Sequence, residues 1–173
     1  MDLYLIRHAD AQMLGERGIT SDEERPLSED GEAQARALSL MLQQRAGHID
    51  AIFTSPLRRA RQTGELIVHD WHGAPELQNC DHLAMGGRRR SLAKFLRQCG
   101  GNSVALIGHQ PDLSELAGWL VGAKKAQLDL AKAGVALIRC PERIGKGEGV
   151  LVWLVTPEWF VYGATAEQKA GVS

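Results

Sequence analysis

Four apolar residues, Leu3, Tyr4, Leu5 and Ile6, run straight into Arg7 and His8. A short unbroken apolar block of this kind fits a strand buried on both faces. Residues 10–27 follow without periodicity; with Gly15, Gly18, several acids and Pro26 they read as a long polar loop, a kind of segment that often carries function. Ser28 then stands before Ala33, Ala37, Leu38, Met41 and Leu42, which fall at helical spacing up to a stop at Gly47. Ser28 is a good N-cap, and Glu29, Asp30 and Glu32 suit the first turn of a helix.

The alternation of blocks continues. Residues 50–55 form a second apolar block ending in Thr54-Ser55, and Pro56 sits where a helix can begin. Leu57, Ala60, Thr63, Gly64, Ile67 and Val68 share one side of a helix over 57–71. Residues 72–90 show no regular pattern, and 91–99 give a short amphipathic helix ended by Gly100-Gly101. Residues 104–108 are a third buried strand, and Pro111 opens a helix to about Val121. Residues 134–139 and 150–155 finish as strands around a glycine- and charge-rich turn at 145–149. That last connection has no room for a crossover helix, so the two strands are expected as an antiparallel hairpin at one edge. Strands alternating with helices predict an α/β fold, a layered sandwich around a largely parallel sheet. With no linker and no internal repeat, residues 1–173 are expected to form a single domain, with a fraying tail after about residue 160.

Composition narrows the chemistry. Hydrophobic residues make 44% and charged residues 24%, ordinary for a globular chain, and the net charge of −1 supplies no bulk field for nucleic acid or anionic lipid. The three cysteines are odd in number and form no C-x-x-C pair, which disfavours a disulfide framework or a thiolate zinc site. The beginning of the chain does not read as a secretory signal, and no apolar run nears the roughly 20 residues of a membrane span. No membrane partner and a cytoplasmic location are the expectations.

Ligands of open α/β sheets bind beyond the carboxyl ends of the strands. The first strand ends in Arg7-His8, the second in Ser55-Pro56-Leu57-Arg58-Arg59-Ala60, the third in Gly108-His109-Gln110-Pro111. If the three are parallel neighbours, arginines and two histidines converge on one crevice. Arginine grips two phosphate oxygens in one fork, and neighbouring cations depress a histidine's pKa and favour its neutral, nucleophilic form. The chain shows neither a P-loop nor an Asp/Glu pattern for magnesium. The set therefore fits metal-free, cofactor-free phosphoryl transfer through a histidine nucleophile.

The stretches "LIRHADA", "SPLRRARQT" and "IGHQPDL" resemble, in order, the R-H-G, S-x-L-x-R-A-x-x-T and G-H-x-P segments of the histidine phosphatase superfamily, with its phosphoglycerate-mutase-like three-layer α/β/α fold. "RPLSEDG", "LAMGG" and "KAGVALI" are similar to pieces of its short bacterial phosphohistidine phosphatases, the SixA-like group. The resemblance implies His8 as phosphoryl-accepting nucleophile and Arg7, Arg59 and His109 as catalytic, phosphate-binding partners. Arg58 takes the variable place in the motif and reads as a solvated helix residue. Ala9 stands where the superfamily usually has Gly. The superfamily's usual general-acid Glu falls in the region of Asn79-Cys80-Asp81-His82-Leu83, leaving Asp81 and His82 as candidates, while Asp10 and Asp22 read as solvated loop acids.

Arg25 is expected to anchor the long loop near the site. His48, His69 and His72 read as surface residues, Trp119 and Trp153 as core. The run Arg88-Arg89-Arg90 reads as a solvated face that could steer an acidic protein partner. The expected activity is removal of a phosphoryl group from phosphohistidine on a signalling protein, such as a histidine-phosphotransfer-type domain. A small-molecule phosphomonoesterase and a non-catalytic phosphoprotein-binding module are the alternatives. Little chain lies between the clusters to wall a pocket, which suits a phosphorylated side chain presented by another protein.

Overall fold

The computed structural model describes residues 1–123 and 128–160; the expectation of a fraying tail after residue 160 falls outside them. One six-stranded sheet runs through the centre. Its strands are β1 (Asp2–Arg7), β2 (Ala51–Thr54), β3 (Leu77–Asn79), β4 (Ser103–Gly108), β5 (Val135–Arg139) and β6 (Val150–Val155). Their order across the sheet is β3-β2-β4-β1-β5-β6. The first four run parallel, whereas β5 lies antiparallel to β1 and β6 antiparallel to β5. The expected edge hairpin is therefore β5–β6.

Alternation of side chains along each strand divides the core into two layers. Leu3, Leu5, Phe53, Val104 and Leu106 face α3 (Arg89–Leu96) and α4 (Asp112–Leu120), meeting Leu92, Leu96, Leu113 and Leu116. Tyr4, Ile6, Ile52, Ala105 and Ile107 face α1 (Glu29–Arg45) and α2 (Arg58–Asp70), meeting Leu38, Leu42 and Ile67. The result is an α/β/α sandwich with a mostly parallel sheet. Strands β1 and β4 are covered on both faces, which is why they read as unbroken apolar blocks.

Ser28 caps α1 as expected, its Oγ accepting the Gly31 N–H at 3.1 Å. α2 starts at Arg58, two residues beyond Pro56, after an extended Leu57. Gly64 lets α2 lie close to the sheet: a Cβ there would come within 2.7 Å of Leu77 Cδ1.

Two elements differ from the sequence expectation. Residues 72–90 are not wholly irregular, since β3 adds to the free edge of β2 and a 3-10 turn follows at Asp81–Leu83. β3 has three residues, of which Gln78 and Asn79 are exposed, so no apolar alternation announces it. α3 begins at Arg89 rather than 91, taking two of the three consecutive arginines into its first turn. No helix among the described residues is long and apolar enough to cross a membrane.

Candidate active site

β1, β4 and β2 are adjacent and parallel, so their carboxyl ends meet at one edge of the sandwich. The ladder sets the heights. Arg7 lies opposite Gly108 and Thr54 opposite Ile107, which brings His8, His109 and Ser55 to the same rim. The backbone N–H of His8 donates to Gly108 O at 3.0 Å, and that of Ser55 to Ile107 O at 2.9 Å. These residues thus sit on continued ladder rather than on loops.

His8 is 8% exposed. Its Nδ1 lies 2.7 Å from the carbonyl oxygen of Ala9. A carbonyl only accepts, so Nδ1 carries the proton and Nε2 keeps its lone pair. Arg59, 3% exposed, aims its Nε–H at that Nε2 from 3.2 Å. His109, 2% exposed, holds its ring centroid 5.1 Å from that of His8. Its Nε2 is 2.8 Å from Ser55 Oγ, which also accepts the Leu57 N–H at 3.3 Å. The Ser55 hydroxyl proton is then free to go to His109 Nε2, leaving the proton of the neutral ring on Nδ1. That Nδ1 is buried and meets no partner among the described residues; the same is true of Arg7 Nε. Arg7 is held at its other end, Nη1 donating to Leu130 O at 2.9 Å. Orphaned buried donors are uncommon, and two of them here belong to side chains proposed to grip phosphate.

Both imidazoles are strongly biased toward the neutral form. Burial is the largest cause for His8, whose pKa falls to about 3; the bond to Ala9 opposes the fall, and His109, Arg59 and Arg7 add to it. Burial likewise leads for His109, lowered to about 4, with Arg59 next. The sequence expectation named the cations alone; desolvation outranks them.

The long loop is more engaged than its composition suggests. Asp22 is not a plain solvated acid: its carboxylate accepts from Arg59 Nη2 at 3.1 Å and from Arg25 Nη1 at 3.0 Å, and its carbonyl accepts from Arg59 Nη1 at 2.7 Å. Arg25 also donates to the carbonyls of Gln12 and Ala11, so it does anchor the loop. Asp10 is likewise pinned, by Lys132 and by Ser28 Oγ at 2.6 Å. The Arg25 bond leads in holding the Asp22 carboxyl below its usual range. For Asp10 burial pushes upward, but the bonds from Lys132 and Ser28 outweigh it. Both acids therefore stand as carboxylates at neutral pH and are poorly suited to donate a proton.

Asp81 and His82 are both exposed, and His82 also lies beside Phe95 and lines a small cleft that reaches His109. Arg58 is exposed, as expected. His48, His69 and His72 are exposed as well, the first two beside Asp50 and Asp70. Ala9 is fully buried, so the methyl group in place of the usual glycine hydrogen is accommodated.

Several supporting residues had no site role assigned from the sequence, although Thr63 and Gly31 fall within the segments "SPLRRARQT" and "RPLSEDG". Thr63 Oγ1 accepts the Ala9 N–H at 3.1 Å and donates to the Arg59 carbonyl at 2.7 Å, tying the two clusters together. Gly31 brings the start of α1 against the Asp10 carbonyl, where a Cβ would lie only 2.0 Å from the oxygen. Ala133 N–H donates to the His8 carbonyl at 3.2 Å.

A family model for the histidine phosphatase superfamily (branch 1) matches residues 3–95. The chain belongs to that superfamily. A protein of Picosynechococcus sp. with no assigned function is 34% identical over 167 residues, covering 93% of this chain and 99% of its own. Among solved structures, the protein histidine phosphatase SixA complexed with tungstate superposes with a TM-score of 0.79 at 24% identity, over 91% of this chain and 97% of that one. A phosphoserine phosphatase of Entamoeba histolytica in complex with 3-phosphoglyceric acid gives 0.66 at 15% identity, over 90% and 96%. At these identities the two structures speak for the fold, which is that of SixA and its phosphoglycerate-mutase-like relatives.

Proposed function

We propose that this protein is a metal-independent phosphatase that carries the phosphoryl group on His8, and that its substrate is phosphohistidine on another protein. The observation that carries the reading is the state of His8. Its Nδ1 proton is committed to Ala9, which leaves Nε2 unprotonated, and that lone pair accepts only the Arg59 Nε–H at 3.2 Å, a donor that an incoming phosphoryl oxygen can take over.

In the first step Nε2 of His8 attacks phosphorus, and the bond from phosphorus to the substrate nitrogen breaks. The electron pair stays on the leaving imidazole, which is neutral if its other nitrogen was protonated beforehand. That leaving group needs less acid assistance than an alkoxide, which suits a site where Asp10 and Asp22 are both held as carboxylates. In the second step water attacks phospho-His8, the N–P bond breaks, inorganic phosphate leaves and His8 is restored. Arg7, Arg59 and His109 donate to the phosphoryl oxygens through both steps, replacing water with fixed donors. The domain performing this is taken to be the whole of residues 1–173.

SixA, acting on protein histidine, has a similar fold, and so does a phosphoserine phosphatase. Both neighbours are matched over nearly their whole length, so chain length does not choose between them; the choice rests on the leaving group, since Asp10 and Asp22, held as carboxylates, are not poised to protonate an alkoxide. The test is turnover of a phosphohistidine-bearing phosphotransfer domain beside a panel of sugar and nucleotide phosphates, with and without chelator. The reading expects the phosphodomain to be hydrolysed fastest, chelator to have no effect, and His8→Ala to abolish turnover. Fast metabolite hydrolysis with an untouched phosphodomain would favour the phosphomonoesterase. Activity surviving in His8→Ala would remove the nucleophile.

A further inference from the structure

Apart from the crevice of His8, a groove of about 870 Å³ lies between α3 and α4, with Ser114, Gly118 and Trp119 along α4 and Arg88, Arg89, Arg90 and Lys146 around it. Among the described residues, Glu115 is the one acidic side chain lining it, and it pairs with Arg89 at 2.9 Å. Among the described residues, Arg88, Arg90 and Lys146 pair with no carboxylate. In a chain of net charge −1 this is a local concentration of positive charge.

The arginines are also placed against their own helix. α3 starts at Arg89 with no acid in its first turn, where the macrodipole disfavours cations. Helix stability therefore does not account for the run. Position does offer a reason. Gly87 and Arg89 line this groove and also the small cleft that reaches His109. The groove is thus continuous with the rim of the candidate active site.

We infer that this groove is a docking surface for an acidic face of the phosphoprotein substrate, with Arg88, Arg90 and Lys146 meeting its carboxylates and Trp119 its apolar side chains. The inference rests on the reading of the substrate as protein phosphohistidine. Charge at such a rim acts chiefly on encounter and on KM, and it is screened by salt. The chemistry at His8 lies outside its reach.

The experiment compares the intact protein with an Arg88→Glu/Arg90→Glu variant on two substrates, an acidic phosphotransfer domain phosphorylated on histidine and free N-phosphoimidazole. Both arginines are exposed, and circular dichroism with N-phosphoimidazole turnover reports that the variant is folded. The expected result is a rise in KM for the phosphodomain of about tenfold at low ionic strength, shrinking as salt is added, with N-phosphoimidazole kinetics unchanged within about twofold. Polyglutamate should inhibit turnover of the phosphodomain and spare that of N-phosphoimidazole. Equal KM values for wild type and variant on the phosphodomain overturn the docking surface and leave the substrate reading standing. A wild-type protein that hydrolyses N-phosphoimidazole but not the phosphodomain overturns both. If single-stranded RNA competes at lower concentration than polyglutamate, the groove is a nucleic-acid site instead.

Discussion

Arg59 donates from Nε to Nε2 of His8 across 3.2 Å, and does so from a helix that begins one residue before it. The same guanidinium reaches the Asp22 carbonyl and carboxylate with its two terminal nitrogens. One planar fork therefore touches His8 and the loop together. Lysine offers a point charge and cannot reproduce that geometry. Arg59→Lys is expected to lower kcat/KM by about 10²–10³, the range typical for loss of one preorganised donor at a reacting oxyanion. Steady-state kinetics on any accepted phosphate substrate measures this; a loss below threefold would show that charge alone suffices.

Neutral His8 and His109 make stability depend on pH in a defined window. Their pKa values fall to about 3 and about 4 in the fold, against about 6.5 in the unfolded chain. Above pH 6.5 neither state binds these protons, and stability is at its full value. As pH falls below 6.5 the unfolded chain takes up protons that the folded chain refuses, so stability is lost down to the folded pKa values. Each histidine contributes a slope of up to about 1.4 kcal/mol per pH unit. Urea midpoints should therefore drop between pH 7 and pH 5, and His8→Asn should flatten the drop. Identical midpoints at the two pH values would contradict the burial of these rings.

Asp22 occupies both terminal nitrogens of Arg59, and an anion bound there is expected to compete for them. Replacing it with Asn keeps the backbone carbonyl that accepts from Arg59 and removes the negative charge. Asp22→Asn is expected to tighten inhibition by inorganic phosphate about threefold or more, since a like charge a few ångströms from the site is gone. A weaker phosphate inhibition in the variant would mean that Asp22 orients Arg59 more than it opposes the ligand.

Gly31 is a packing requirement at the site's edge. A Cβ at this position would lie 2.0 Å from the Asp10 oxygen, so either α1 or the loop must retreat. Gly31→Ala should destabilise the fold by about 1–3 kcal/mol, as overpacking typically does. Denaturant unfolding measures it, and unchanged stability would show that the loop yields freely.

Strand ends were the readable part of this site. Arg7, His8 and His109 stand directly after apolar blocks, and a parallel arrangement alone brings them together. The Ser28 cap and the Arg25 anchor also follow from local signals. Thr63, Ser55 and Gly31 stand in the segments that resemble the family, but their roles were not readable, because each acts on a partner reached only through tertiary packing. Thr63 meets Ala9 54 positions away, and Ser55 meets His109 at the same separation. Nothing in a threonine on the inner side of a helix distinguishes one that ties two segments from one that merely fills space. Asp22 failed for a related reason: a carboxylate in a polar loop looks solvated until the loop folds back over an arginine. β3 was hidden by its shortness and by its exposed amides.

The site is assembled from two kinds of support. His8 and Ser55 hang on hydrogen bonds that continue the central ladder, whereas Asp22 reaches Arg59 from a loop closed by the isolated bridge between Ala11 and Leu27. In hydrogen–deuterium exchange the amides of His8 and Ser55 should open only when the whole sheet does, and the loop amides around Asp22 long before. The imidazole pair would then keep its spacing through every turnover, while the grip of Asp22 on Arg59 relaxes and re-forms as phosphate comes and goes.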